Sequence, residues 1–393
     1  GRRTDRQNQV PAHQPIPEPP ASAPNDMYDF LDRTVFKQVK SWFDIPRSVR
    51  WLTGNPKQAI NIDAFDEVPN SSWFTNRAYD LSIEDVLKGP DTGTGPDMGA
   101  SWSVTAAKTE GVTPGFFIRD ARGDRYVLKF DPLTNPEMAT GAEIISTKLF
   151  YAVGCNTPEN YLVFFEPEQL VIGENVMFKD DLGRERRLNP DDVLHILERV
   201  PRMPDGRIRA IASKLLSGTP KGPYSYIGTN KNDPNDVFRH EHRRELRGLQ
   251  VVAAFTNHND IRRINSLDIY VAEGYLHHYL IDFGSTLGSA SISVNLPSEG
   301  FEYQFDFSEM GRSLLGAGLY PRRWERVNLD SGMLSIGYWG SDGYNPGKWK
   351  GNYPNMAFQR MTDWDGFWGA RHVMTLSDEK IRGIVRQAKY TDP

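Results

Sequence analysis

The chain has 393 residues, enough for two or three compact units or one large two-lobed unit. With 38% hydrophobic residues, and 20 Phe, 16 Tyr and 9 Trp among them, it can bury a sizeable core, which excludes wholesale disorder. Its 46 basic and 51 acidic residues leave a net charge of −5, which argues against a nucleic-acid coat or a polybasic membrane binder; the single Cys155 excludes an internal disulfide framework and a cysteine-cluster metal site.

Residues 1–25 hold six prolines among polar residues and read as a disordered, proline-rich tail. The chain begins at Gly1, not Met, so compartment stays open: cytosolic ATP suits an active enzyme, whereas a proline-rich tail also suits an exported or membrane-tethered one. Residues 26–100 form an extension, with one or two short helices expected between Met27 and Trp51 and loops after them. The run Gly89-Pro90-Asp91-Thr92-Gly93-Thr94-Gly95-Pro96 punctuates strongly and places a boundary near residue 100.

Beyond it, Trp102–Ala107, Phe116–Asp120 and Arg125–Phe130 are predicted strands, the last two joined by a tight turn at Ala121-Arg122-Gly123-Asp124. A helix follows, with Asn135 as N-cap, Pro136 in the first turn and Gly154 past the end; Ile144, Ile145, Leu149 and Val153 form its apolar stripe. Tyr161–Phe165 is a further strand. Residues 179–235 are polar and punctuated, with helices expected at Asp191–Val200 and Ile208–Leu216. A longer helix over Val237–Thr256 precedes a hairpin of Leu267–Val271 and Tyr279–Ile281, turning at Glu273-Gly274. Residues 331–369 are rich in Gly and aromatics, and a helix over Asp378–Lys389 turns Ile381, Ile384, Val385 and Ala388 to one face. No apolar run approaches the roughly 18 residues of a membrane helix.

Four features then stand in a fixed order: Lys129 inside the apolar strand Tyr126-Val127-Leu128-Lys129-Phe130, Glu143 on the following helix, His258-Asn259-Asp260-Ile261-Arg262-Arg263-Ile264-Asn265 after the long helix, and Asp282-Phe283-Gly284 at a strand end. A lysine in an apolar strand is costly unless paired, and a carboxylate plus phosphate oxygens would pair it. Glu143 fits that role, with Glu137 as rival. Asn265 and Asp282 offer oxygens for Mg²⁺, Asp260 a base for an attacking hydroxyl, and Arg262 a cation for the transferred phosphoryl group. The 22 residues between Asp260 and Asp282 (282 − 260) suffice for a hairpin that returns Asp282 beside Asn265.

These residues resemble the protein-kinase-like superfamily over about residues 101–288. The likeness implies an α+β, two-lobed kinase-like fold: a small antiparallel sheet plus one helix over 101–170, then a mainly helical lobe over 171–393 with an insertion near 170–235. It implies ATP and Mg²⁺ as cofactors, Lys129 and Glu143 as the strand–helix pair, Asp260 as catalytic aspartate, Asn265 and Asp282 as metal ligands, and His258 as the histidine bracing the loop. Arg262 stands where protein kinases have a lysine. There is no Gly-x-Gly-x-x-Gly; the loop Lys108-Thr109-Glu110-Gly111-Val112-Thr113-Pro114-Gly115 would cover the phosphates through Gly111 and Gly115, a departure closer to HipA-type and phosphoinositide-type kinases. The function implied is transfer of the γ-phosphoryl group to a hydroxyl of protein, lipid or small alcohol. The rivals are a pseudokinase scaffold within a larger assembly and a transferase of AMP.

Blander readings stand for the remaining motifs. Arg-Gly-Asp is a hairpin turn, and the histidines at 240, 242, 258, 277 and 278 lack the spacing of a helical zinc site. Arg239, Arg243, Arg244 and Arg247 with Glu241 and Glu245 form a salt-laced helix face, not a nucleic-acid site. Trp339, Trp349, Trp364 and Trp368 belong to a folded aromatic loop, and Cys155 is a structural thiol.

Overall fold

The computed structural model describes residues 13–22, 50, 52–108, 115–179, 184–317, 319–326, 332–338 and 344–392. Among them are eleven strands and seven α-helices in a mixed α+β arrangement, and no helix is long and apolar enough to cross a membrane. In chain order these are α1 (Ile83–Lys88), β1 (Trp102–Lys108), β2 (Gly115–Arg119), β3 (Arg125–Phe130), α2 (Met138–Ala152), β4 (Asn160–Phe165), β5 (Leu170–Ile172), β6 (Met177–Lys179) and β7 (Glu185–Arg187). There follow α3 (Pro190–Glu198), β8 (Ile208–Lys214), β9 (Thr219–Gly222), α4 (Arg244–Thr256), β10 (Ser266–Tyr270), β11 (Leu276–Leu280), α5 (Phe307–Leu315), α6 (Asp363–Val373) and α7 (Asp378–Gln387). The expected helices between Met27 and Trp51 fall outside the described residues, apart from Arg50.

Six strands form one sheet in the order β4-β8-β3-β2-β1-β5, antiparallel except for the β1–β5 pair. Two of them correct the sequence reading. Ile208–Leu216 was expected to be helical, yet Ile208–Lys214 is a strand between β3 and β4, with Ile208, Ala210, Ile211 and Ala212 all fully buried. Apolar side chains on both of its faces erase the alternation that marks a half-buried strand. The sheet also draws on both sides of residue 170, because β5 and β8 pair into it, so 170–235 is not simply an insertion.

The turn between β2 and β3 holds Arg122-Gly123-Asp124, with the Asp120 carboxylate accepting the amides of Arg122 and Asp124. Asn135 does not cap α2. Glu137 is its N-cap residue, in the left-handed region at φ 70°, and the Asp131 carboxylate, just past β3, accepts the Thr140 amide at 2.8 Å. The helix is buried nearly all round, not along one stripe.

In the remaining half, β9, β10 and β11 form a small sheet, and the β10–β11 turn closes at Gly274 as its sequence predicts. The helix expected from Val237 begins at Arg244, after a short 3₁₀ turn over His240–His242. On α7, Ile384 is buried but Val385 is exposed. Trp349 and Trp368 are buried, the latter on α6, while Trp364 is exposed and Trp339 lies outside the described residues. Far from solvated, Arg243, Arg244, Arg247, Glu241 and Glu245 are all buried, and only Arg239 keeps a largely exposed side chain.

The proline-rich start also departs from expectation. Residues 13–22 lie on the small sheet, with Ile16 7% exposed and its amide donating to the Gly274 carbonyl at 2.7 Å. Backbone pairing at both ends makes this stretch part of the fold instead of a solvated tail.

Candidate functional site

Lys129 sits on β3 opposite Gly115 of β2, and its ammonium projects toward α2. There Nζ donates to Glu143 Oε1 at 3.0 Å and to Asp282 Oδ1 at 3.1 Å. Burial works against the Lys129 charge, but the Asp282 and Glu143 carboxylates outweigh it and hold its pKa above the ordinary lysine value. Burial pushes the Glu143 carboxyl upward, with Lys129 pulling the other way and Asp282 adding to the rise. Glu137, the rival partner, is turned elsewhere and accepts the Thr391 amide at 3.0 Å.

Asp282 follows β11 and takes a left-handed backbone conformation at φ 66°, uncommon for a residue with a side chain. Its side chain remains 50% exposed while Phe283 is fully buried. Phe283 packs against Phe150 of α2 at 4.9 Å between ring centroids, and Thr286 hydrogen-bonds Ser146 of the same helix at 2.6 Å. The segment carrying Asp282 is thus fixed to the helix carrying Glu143. Together these residues open onto a cleft of about 590 Å³ lined by Gly115, Val127, Lys129, Glu143, Asp282 and Ser291 among others. Gly111 lies outside the described residues.

Asp260, Arg262 and Asn265 form a second group in the loop after α4. Asn265 Nδ2 donates to the Asp260 carbonyl at 2.8 Å and to its Oδ2 at 3.0 Å. Arg262 Nε lies 2.6 Å from Asp260 Oδ1 but off the line a hydrogen bond requires, so the pair is a close charge contact. Burial raises the Asp260 pKa; Arg262 and Asn265 oppose the rise and the Asp282 charge reinforces it. The two groups meet where the Ile281 amide donates to the Asn265 carbonyl at 3.1 Å, so the hairpin does return Asp282 beside Asn265. Asp260 does not line the cleft of Lys129, and Arg262 instead borders a smaller hollow of about 350 Å³ with Tyr353. His258 ties the groups together: its Nδ1 meets the Ser285 carbonyl at 3.1 Å, and burial lowers its pKa to about 4, so the ring is neutral.

Asp282 presents a half-exposed carboxylate and Asn265 spends its Nδ2 on Asp260; these are oxygen-bearing side chains of the kind a divalent cation takes, but among the described residues no group of three or more His, Cys, Asp or Glu is gathered to hold one.

Several supporting residues escape sequence reasoning. Asn160 of β4, fully buried, donates to Glu143 Oε1 at 3.0 Å and to Thr147 at 2.7 Å. Arg209 of β8 donates to Thr140 at 2.7 Å and to the Ala388 carbonyl at 2.6 Å, linking the start of α2 to the residues after α7. The one sequence signal for either is a polar residue within an otherwise apolar strand.

No protein-family model matches the sequence, and no curated protein matches it. Two solved structures overlap with the chain in outline. One is a crystal structure of the Golgi casein kinase with Mn/ADP bound, at 12% identity and TM-score 0.32, covering 93% of this chain and 96% of that one. The other is a crystal structure of the Golgi casein kinase at 11% identity and TM-score 0.29, covering 94% and 97% respectively. Overlap this loose assigns no role to any residue here.

Proposed function

We propose that the chain is a kinase-like phosphotransferase with a two-lobed fold, moving the γ-phosphoryl group of ATP to a hydroxyl acceptor. The observation that carries this reading is the ammonium of Lys129 bridging Glu143 and Asp282 in one cleft, from positions 14 and 153 residues away in sequence. A buried pair would suffice to neutralise Lys129; a second, half-exposed carboxylate leaves negative charge facing the cleft, where a cation would sit.

In this mechanism the acceptor oxygen attacks the γ-phosphorus, the bond to the β,γ-bridging oxygen breaks, and ADP leaves. Asp260 takes the hydroxyl proton, a role worth about 10²–10⁴-fold, and its raised pKa brings it closer to neutral working conditions. Lys129 would hold phosphate oxygens and Glu143 would hold Lys129. Asp282 and Asn265 would hold Mg²⁺, which when bound neutralises phosphate charge. Arg262, already against Asp260, would swing toward the transferring group.

A scaffold reading has one observation in its favour: both Asp260 oxygens are engaged, by Arg262 and by Asn265. Incubation with α- or γ-labelled ATP and Mg²⁺, across protein, lipid and small-alcohol acceptors, separates the readings. Transfer or release of γ-label is expected. Transfer of α-label points to AMP, binding without turnover to the scaffold, and absence of nucleotide binding overturns the site.

A further inference from the structure

Residues 13–22, His-Gln-Pro-Ile-Pro-Glu-Pro-Pro-Ala-Ser, are held chiefly through their main chain. Asn235 reads Gln14 from both sides, its Oδ1 accepting the Gln14 amide at 3.3 Å and its Nδ2 donating to the Gln14 carbonyl at 2.8 Å. The Ile16 amide donates to Gly274, and the Ile16 carbonyl accepts from the Tyr270 hydroxyl at 2.8 Å. At the far end the Ser22 amide donates to the Lys221 carbonyl at 2.7 Å, on the edge strand β9. The groove floor is shaped for a passing backbone: Gly222 has φ +94°, and a Cβ there would lie 2.0 Å from the Ser22 carbonyl oxygen.

Side chains then add selectivity. Ile16 and Pro19 are buried, and Lys221 Nζ donates to Glu18 Oε1 at 2.6 Å. Pro15, Pro17, Pro19 and Pro20 lack amide protons, and three of the amides that remain, those of Gln14, Ile16 and Ser22, are donors to the groove. Prolines also limit the freedom lost on docking. An edge strand with a backbone-reading side-chain amide beside it is the chemistry by which extended peptides are recognised.

We propose that this groove is a recognition site for extended proline-rich peptides carrying an aliphatic residue, an acid two positions on and a proline after it, filled here in cis by residues 13–22. Its occupancy is sensed by the loop of Asp260 and Asn265, because Arg263 in that loop donates to the Ser22 hydroxyl at 3.1 Å. The groove stands independently of the phosphotransfer reading, and both tests below are read without activity.

The full chain carrying Ile16→Asp and Pro19→Asp, two of its buried positions, vacates the groove. A fluorescent peptide of residues 12–24 should bind this variant saturably by anisotropy, and at least about tenfold more weakly the unaltered chain, whose tethered segment competes at high effective concentration. Adding Lys221→Glu should weaken binding about fivefold, and a peptide with Glu18→Lys should restore it. Should the vacated chain fold poorly by thermal melt, Ile16→Ala alone, which loosens the tethered segment and leaves the groove intact, tests the same point: the peptide should then bind better than to the unaltered chain. Absence of peptide binding to either variant, or equal binding of a scrambled peptide, overturns the groove. Hydrogen exchange over 258–265 should slow on peptide addition; unchanged exchange overturns the coupling to the loop.

Discussion

Helix α4 has a cluster of charge at each end, and the two are built on opposite plans. At its start Arg244 and Arg247 enclose Asp365, at 3.2 Å from Arg244 Nε and 3.0 Å from Arg247 Nη1, with all three side chains at 1% exposure or less. Arg247 spends its remaining donors on the carbonyls of Glu241 and Lys57 and on His242 Nδ1. Past its end, near Asn265, Lys129 and Asp282 keep 32% and 50% of their side chains in solvent. There Glu143 Oε2 is buried without a partner, and Asp282 is held in a strained backbone conformation. The first cluster satisfies its charges internally and can only hold the fold. The second leaves charge facing a cleft, where the proposed phosphotransfer reading puts its ligand.

Removing one partner from each cluster should therefore produce opposite phenotypes. Asp365→Ala leaves Arg247 buried without its carboxylate and Arg244 with only that of Asp66, and should cost about 3–5 kcal/mol of stability in urea unfolding. Asp282→Ala should cost less than about 1 kcal/mol of stability yet reduce nucleotide turnover by about 10²–10³-fold. Equal stability losses from the two would erase the distinction.

Acid should weaken both clusters alike, since each has one buried histidine beside it. Burial lowers His258 and His242 to about 4, against about 6.5 in the unfolded chain; at His242, Lys57, Arg247 and Arg360 add to the fall and Glu241 opposes it. The unfolded state binds more protons between these values, so stability should be full above about pH 6.5 and decline toward pH 4. His242→Asn and His258→Asn should each reduce the slope of stability against pH by about one proton. The smallest effect is expected from Asn160→Leu. It removes one donor from Glu143 and should weaken nucleotide binding by about 0.5–1.5 kcal/mol, read by titration, with the thermal midpoint nearly unchanged.

The cleft residues were legible because each is an anomaly in its local context. Lysine in an apolar strand and an aspartate closing one invite a partner wherever the chain later folds. The Arg244–Arg247 cluster looks solvated from sequence, because charge at helical spacing is the same on a solvated face and in a buried one; Asp365, its counter-charge, lies 118 residues from Arg247. Ile208–Lys214 hides for a related reason, since a strand buried on both faces loses the period that identifies it.

Local sequence therefore determined the strands β1 to β3, the hairpin at Gly274 and the identity of the groups facing the cleft, all of which depend on near neighbours and turn chemistry. Tertiary structure alone decided which charges would be enclosed, which strand would fill the middle of the sheet, and that a proline-rich stretch would lie on β9. Those outcomes rest on burial and on partners distant in sequence, and the cost of a charge or an unpaired amide is fixed only once its surroundings have closed around it.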